Sequence, residues 1–140
     1  MPRDYIESAN TLIEKSTRSF IGSVDDEGYP NLKVILSPRE HNGIREFFFT
    51  TNTHSMRVKQ YQKNPKACIY FFDGRFFRAV MLKGKMEVLQ DQATKDRIWR
   101  DGDDQYYSLG VTDPDYCVLH FIAESGRFYE NFGSVDFKVE

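Results

Sequence analysis

The chain has 140 residues, enough for one domain with one core (residues 1–140), and 15% of them are aromatic, twelve being phenylalanine. A formal net charge of −2 argues against an extended nucleic-acid surface, which would show a basic excess, yet a few local cations could still hold a small phosphorylated ligand. No apolar run approaches the ~20 residues of a membrane span and the start does not read as a signal peptide, so a soluble, cytoplasmic protein is expected.

In chain order, residues 4–16 read as a helix, with Tyr5, Ala9, Leu12 and Ile13 recurring at helical spacing. Ser19–Val24 and the alternating Asn31–Ser37 read as strands, Leu32, Val34 and Leu36 facing one way and Lys33 and Ile35 the other. His41-Asn42-Gly43 signals a hairpin, with Ile44–Thr51 as the returning strand. Ser55–Lys63 reads as a short helix that Pro65 stops. Ala67–Phe72 and Phe77–Gln90 are expected to pair across Asp73-Gly74. Asp91 caps a third helix running through Trp99, and 101–115 is an acidic loop. Tyr116–Glu124 and Arg127–Phe132 are expected as a last hairpin about Ser125-Gly126. Consecutive hairpins with short helices at the corners suggest an antiparallel barrel. Phenylalanine runs such as Phe47-Phe48-Phe49 and Phe76-Phe77 must send side chains to both faces of a strand, so some should meet a ligand or a partner subunit. Cys68 and Cys117 lie in apolar runs without metal-type spacing and are expected as buried, reduced thiols.

The segment that carries chemistry is Phe49-Thr50-Thr51-Asn52-Thr53-His54-Ser55-Met56-Arg57, in which a strand ends in hydroxyl residues and a helix opens at Ser55. A helix start offers unpaired N–H groups and the positive end of the dipole, both favourable to an anion. Arg57 and Lys59 in the first turn oppose that dipole unless an anion is bound. The residues alone leave two readings equally open: an anion site, or a simple cap with Ser55 bonding the backbone and Arg57 in water.

The order of the flanking segments resembles the FMN-binding split barrels related to pyridoxamine 5′-phosphate oxidase. Pro30-Asn31-Leu32-Lys33-Val34-Ile35-Leu36, Phe49-Thr50-Thr51 with Ser55 and Arg57, Asn64-Pro65-Lys66-Ala67 and Arg78-Ala79-Val80-Met81-Leu82-Lys83-Gly84 carry the likeness; Asp113-Pro114-Asp115-Tyr116 looks like the small general-stress-type members. The resemblance implies an α+β, mainly β fold, an antiparallel split β-barrel with short flanking helices, and a homodimer with FMN at the subunit interface. It also implies that Lys33, Val34 and Ile35 run beside the ribityl chain and ring, that Thr50 and Thr51 contact them, and that Ser55 and Arg57 anchor the phosphate. Arg78 and Ala79 match the strand that approaches FMN from the other subunit. Met56 stands in the phosphate-binding stretch where the oxidases carry Arg. Lys33 replaces Arg, Ala79 replaces Gln, Pro38 lies near their substrate lysine, and the C-terminal Arg-x-His signature is absent. Vitamin B6 oxidation is therefore not expected. The reading is an FMN-dependent oxidoreductase acting on a small molecule; the alternatives are a non-catalytic flavin sensor or store, or a barrel holding haem or a deazaflavin.

Of the remaining candidates, His41, His54 and His120 show no metal-ligand spacing, though His54 lies beside the proposed anchor. Asp101-Gly102-Asp103-Asp104 lacks the bidentate glutamate of a calcium loop and reads as solvated. Trp99 reads as a packing residue, and Tyr106 and Tyr107 as candidates to flank the flavin from the partner subunit.

Overall fold

The computed structural model describes residues 4–140; residues 1–3, part of the start read above as unlike a signal peptide, lie outside the described residues. Helix α1 (Tyr5–Lys15) starts where the Asp4 carboxylate accepts from the N–H groups of Ile6 and Glu7, and it buries Ala9, Leu12 and Ile13, the face its spacing predicts. Eight strands follow: β1 (Arg18–Val24), β2 (Pro30–Leu36), β3 (Glu40–Asn42), β4 (Glu46–Asn52), β5 (Lys66–Asp73), β6 (Arg78–Leu89), β7 (Tyr116–Glu130) and β8 (Gly133–Lys138). Helices α2 (Met56–Lys63) and α3 (Gln92–Ile98) fill the corners, α3 capped by Asp91 as expected. Every pairing is antiparallel, in the order β2-β1-β5-β6-β7-β4-β3, with β8 added to β7. The sheet curls into a barrel that β2 and β3 leave unclosed: the split barrel that the hairpin pattern and the resemblance lead one to expect.

Two turns differ from the sequence reading. Ser125-Gly126 is no hairpin: β7 runs unbroken from Tyr116 to Glu130, and the chain reverses at Asn131-Phe132 into β8. Gly126 is a site of close approach instead, since a Cβ there would lie 2.5 Å from Phe137 and 2.7 Å from Leu82. Gly84, beside the bulge in the β6–β7 ladder, is similar; a Cβ would sit 1.9 Å from the Ile122 carbonyl oxygen. The Asn42-Gly43 reversal is a three-residue loop, Gly43 to Arg45, and Ile44 tucks into the core instead of opening β4. At Asn131 and Phe132 the backbone takes φ of 52° and 62°, the two left-handed residues of a tight hairpin turn. Phe77, closing the β5–β6 turn, has φ of 50°. A bulky side chain in this region costs on the order of 1–2 kcal/mol.

The core has two layers. Inside the barrel, Phe47 and Phe49 of β4 join Ile21, Ile69, Phe71, Leu82, Phe121 and the α1 face. Phe48 points the other way into a second cluster with Ile98, Tyr107, Tyr116 and Val118, packed by Trp99. The Phe47–Phe49 run is thus buried wholly within this chain, because α3 and the loop after it cover the outer face of β4. Phe76 and Phe77, by contrast, are exposed. The acidic loop is anchored: Arg39 makes a bidentate ion pair with Asp103 at 2.8 and 2.7 Å, both side chains nearly buried, so Asp103 is not solvated as its cluster suggested. Tyr107 is buried at the centre of the second cluster and cannot reach a partner, which removes it as a flavin-flanking residue; Tyr106 is exposed. Cys68 and Cys117 are unpaired, Cys117 buried and Cys68 half-buried, and burial pushes both thiols up. Among the described residues no helix is long and apolar enough to cross a membrane.

Candidate functional site

The corner where β4 passes into α2 is held from below by Asp115. Its carboxylate accepts from Asn52 Nδ2 at 3.0 Å and from the His54 N–H at 2.9 Å, and lies 2.7 Å from His54 Nδ1, while its carbonyl accepts from the Thr53 N–H at 2.8 Å. Partial burial pushes the Asp115 carboxyl up, but the bonds from His54 and Asn52 outweigh it and hold the group below its ordinary range. His54 is therefore a partner of Asp115, with its ring in solvent, and not a phosphate ligand in this arrangement. From the other side, α2 is fixed to β1: Tyr61 donates to the Gly22 carbonyl at 3.0 Å, and buried Ser23 donates to Gln60. Behind β4, Tyr107 hydrogen-bonds Thr50, and burial pushes its phenol up to about 12.

Within this corner three buried polar atoms, Thr53 Oγ1, Ser55 Oγ and Arg57 Nε, have no partner. Ser55 is the N-cap of α2 but makes no side-chain cap bond, and its Oγ is buried without a partner. Arg57 Nε is also buried and unpartnered, and the first turn of α2 carries no acidic residue. A buried unpaired donor or acceptor costs roughly 1–3 kcal/mol. The simple-cap reading required Ser55 to bond the backbone, which its side chain does not do; Arg57 is partly exposed, with its Nε buried. The corner therefore holds a hydroxyl and a guanidinium N–H without partners at a helix start, group types that can bond an oxyanion. Thr51 is buried and Thr50 half-buried on the strand leading into it. Met56, between Ser55 and Arg57, is 68% exposed and contributes no charge.

The other expected contacts divide. Lys33 and Ile35 pair with Ile21 and Ser19, whose side chains are buried, so both point to the inner side of edge strand β2, at the opening of the barrel. Val34 points outward with Leu32 and Leu36, and these three are 47%, 74% and 58% exposed. Arg78 and Ala79 are not brought to this corner. Thr50 pairs with Val118 and Ala79 with Tyr129, eleven positions apart on β7 (129 − 118), or roughly 35 Å of strand. One chain cannot present both to one small ligand. The bracing role of Asp115 was missed; the Asp113-Pro114-Asp115 turn signal was visible, but nothing in the sequence says which loop it braces.

The sequence profile of a family described as pyridoxamine 5′-phosphate oxidase matches residues 6–130. Among solved structures, a Clostridium acetobutylicum protein related to general stress protein 26 of Bacillus subtilis, of the pyridoxinephosphate oxidase family, is 38% identical over 99% of this chain and 97% of its own, with a TM-score of 0.89. Two more distant structures share the fold: an FMN-binding, pyridoxamine 5′-phosphate oxidase-related protein of Nostoc punctiforme (14% identical, 97% and 94% covered, TM-score 0.71) and a haem-binding protein of Mycobacterium smegmatis (14%, 99% and 59%, 0.77). Curated pyridoxine/pyridoxamine 5′-phosphate oxidases match over shorter stretches; that of Legionella pneumophila (strain Lens) is 33% identical over 76 residues, 54% of this chain and 34% of its own length. The chain thus spans about a third of that relative.

Proposed function

Since this chain belongs to the pyridoxamine 5′-phosphate oxidase family, we propose that it is an FMN-binding oxidoreductase that works as a homodimer. The observation that carries the reading is the pair of buried, unpartnered groups at the α2 start, Ser55 Oγ and Arg57 Nε, which bound phosphate oxygens would satisfy together. Thr50 and Thr51 then lie under the ribityl chain and ring, with Lys33 and Ile35 along the barrel opening. FMN, when bound, supplies reversible acceptance of a hydride at its ring. The protein contributes binding, orientation and charge.

Two features support the dimer. The outer face of edge strand β2 exposes Leu32, Val34 and Leu36 in one row, and an apolar edge left unpaired invites association with another chain. Arg78 and Ala79 are too distant to serve the site of their own chain, which supports the reading that they serve that of a second copy. His54, the histidine beside the anchor, is held by Asp115, which disfavours its use as a haem ligand there.

Two experiments separate these readings. Anaerobic addition of reduced nicotinamide to the flavin-loaded protein is expected to bleach the flavin band, with recovery on adding an electron acceptor; a band that persists with every donor supports the non-catalytic binder. Lys33, an exposed cation at the barrel opening, stabilises the anionic reduced flavin, so Lys33→Met is expected to lower the flavin reduction potential. An unchanged potential in a redox titration rejects that role.

A further inference from the structure

We propose that Lys95, a buried lysine of α3, is a positioning residue for the oxyanion corner: through Asp113 and Asp115 it holds residues 52–54 and so sets the affinity for the phosphate of FMN. The proposal rests on the reading of that corner as the phosphate anchor. Lysine is almost never fully buried unless it is paired, yet Lys95 is 5% exposed and forms no ion pair among the described residues. Its ammonium donates to the Asp113 carbonyl at 2.9 Å and lies 5.3 Å from the centre of the Tyr116 ring.

The residue that Lys95 holds is itself buried. Asp113 is 7% exposed, and its carboxylate accepts from the N–H groups of Leu109 at 3.1 Å and Asp115 at 2.9 Å. The same Asp113 carbonyl also accepts from the Tyr116 N–H at 3.0 Å, and the Tyr116 phenol returns to α3 by donating to the Lys95 carbonyl at 2.8 Å. Helix and turn are thus tied to each other at both ends. An apolar side chain at 95 would avoid the cost of burying an ammonium. What the ammonium adds is a directed bond that fixes the Asp113 carbonyl, which an apolar chain cannot make.

The far end of this strut is the corner. Asp115 takes up three consecutive residues: Asn52 through its side-chain amide at 3.0 Å, Thr53 through its N–H at 2.8 Å and His54 through its N–H at 2.9 Å. Ser55 comes next, and its own N–H closes the turn on the Asn52 carbonyl at 3.0 Å. Hydrogen-bonded groups that share partners move together, so a displacement at Lys95 passes through Asp113 and Asp115 to the residues that lead into Ser55 and Arg57. Binding a small anion at a helix start depends on holding its donors still, and a loosened turn gives up part of that affinity.

The test compares the unchanged protein with Lys95→Met and Lys95→Arg by flavin fluorescence titration, using FMN and riboflavin, which lacks the phosphate. Lys95→Met is expected to bind FMN about 10-fold more weakly and riboflavin within about twofold of the unchanged protein, and Lys95→Arg, which keeps a charged donor, to stay within about threefold for both. Should Lys95→Met not fold, Lys95→Gln, neutral and too short to reach the same carbonyl unchanged, is expected to show the same split. In the ligand-free proteins, the amides of Thr53 and His54 are expected to exchange hydrogen about 10-fold faster in Lys95→Met, with those of Leu12 and Ile13 in α1 unaltered. Unchanged FMN affinity, an equal loss for FMN and riboflavin, or unaltered exchange at Thr53 and His54 would each overturn the proposal; an equal loss would make Lys95 a residue of the fold alone. An unchanged protein that takes up no FMN would reject the FMN reading, and the exchange rates at Thr53 and His54 would then decide whether Lys95 holds the corner.

Discussion

Asp103→Ala is expected to lower the free energy of unfolding by about 3–5 kcal/mol, as removing one partner of a buried ion pair does. Arg39 and Asp103 are 9% and 6% exposed at the side chain, and the variant leaves the guanidinium buried with no counter-charge. Asp103 also accepts from the Arg100 N–H at 2.8 Å, so the loop after α3 loses an anchor in the same step. Arg39 follows β2 on the path into β3, and its N–H donates to the Phe48 carbonyl of β4 at 2.7 Å. The pair therefore fixes the connection from β2 to β3 against β4. Urea unfolding of the two proteins measures the loss. A double variant, Arg39→Met with Asp103→Leu, is expected to recover most of it, since an apolar pair of similar volume removes both charges together; no recovery would show that the backbone contacts, and not the charges, dominate.

The same pair predicts an acid response. Burial pushes the Asp103 carboxyl up, but the Arg39 hydrogen bond and the Arg100 N–H outweigh burial and hold it below the ordinary value of 3.8. A depressed folded-state pKa contributes stability that is complete above the unfolded value and is lost as the pH falls through the folded one. The difference between the unchanged protein and Asp103→Ala should accordingly be constant near neutrality and shrink on acidification below about pH 4.

Arg57→Ala is expected to weaken FMN binding by roughly 10- to 100-fold, equivalent to about 1.4–2.7 kcal/mol. Among the described residues the guanidinium makes no hydrogen bond or ion pair, and its Nε is buried and unsatisfied. Removing it should therefore cost the fold little and the ligand a great deal. The expected pattern is a large change in FMN affinity, measured by flavin fluorescence titration, with a melting temperature of the ligand-free protein unchanged or slightly raised. Riboflavin, which has no phosphate, should bind the two proteins equally. Equal FMN affinity in both would remove Arg57 from the anchor.

Much of this was legible in the sequence wherever one local rule acted alone. The face of α1, the Asp91 cap, the alternation of β6 and the helix start at Ser55 each follow from spacing and capping chemistry within a few residues. The errors arose where distant chain decides. Ser125-Gly126 carries turn chemistry, but Gly126 is there because Phe137 and Leu82 press on it, and Phe137 lies beyond the true turn at Asn131-Phe132. The Phe47–Phe49 run looked too apolar for one core, and a second core exists because residues 98–118 fold back over Phe48. Asp103 looked solvated because its partner is sixty-four residues away. At the site itself, Ser55 and Arg57 could be read as an anion pair or as a cap, and only the three-dimensional corner, braced by Asp115 and Tyr61, shows that neither group is otherwise engaged.

The most direct test of the flavin assignment is the identity and amount of the ligand that the purified chain releases on denaturation, read by absorbance and mass. The account predicts a yellow protein releasing FMN at close to one molecule per chain, from a particle of dimer size. A colourless protein that does not take up added FMN, or one that releases haem or a deazaflavin in its place, would contradict it.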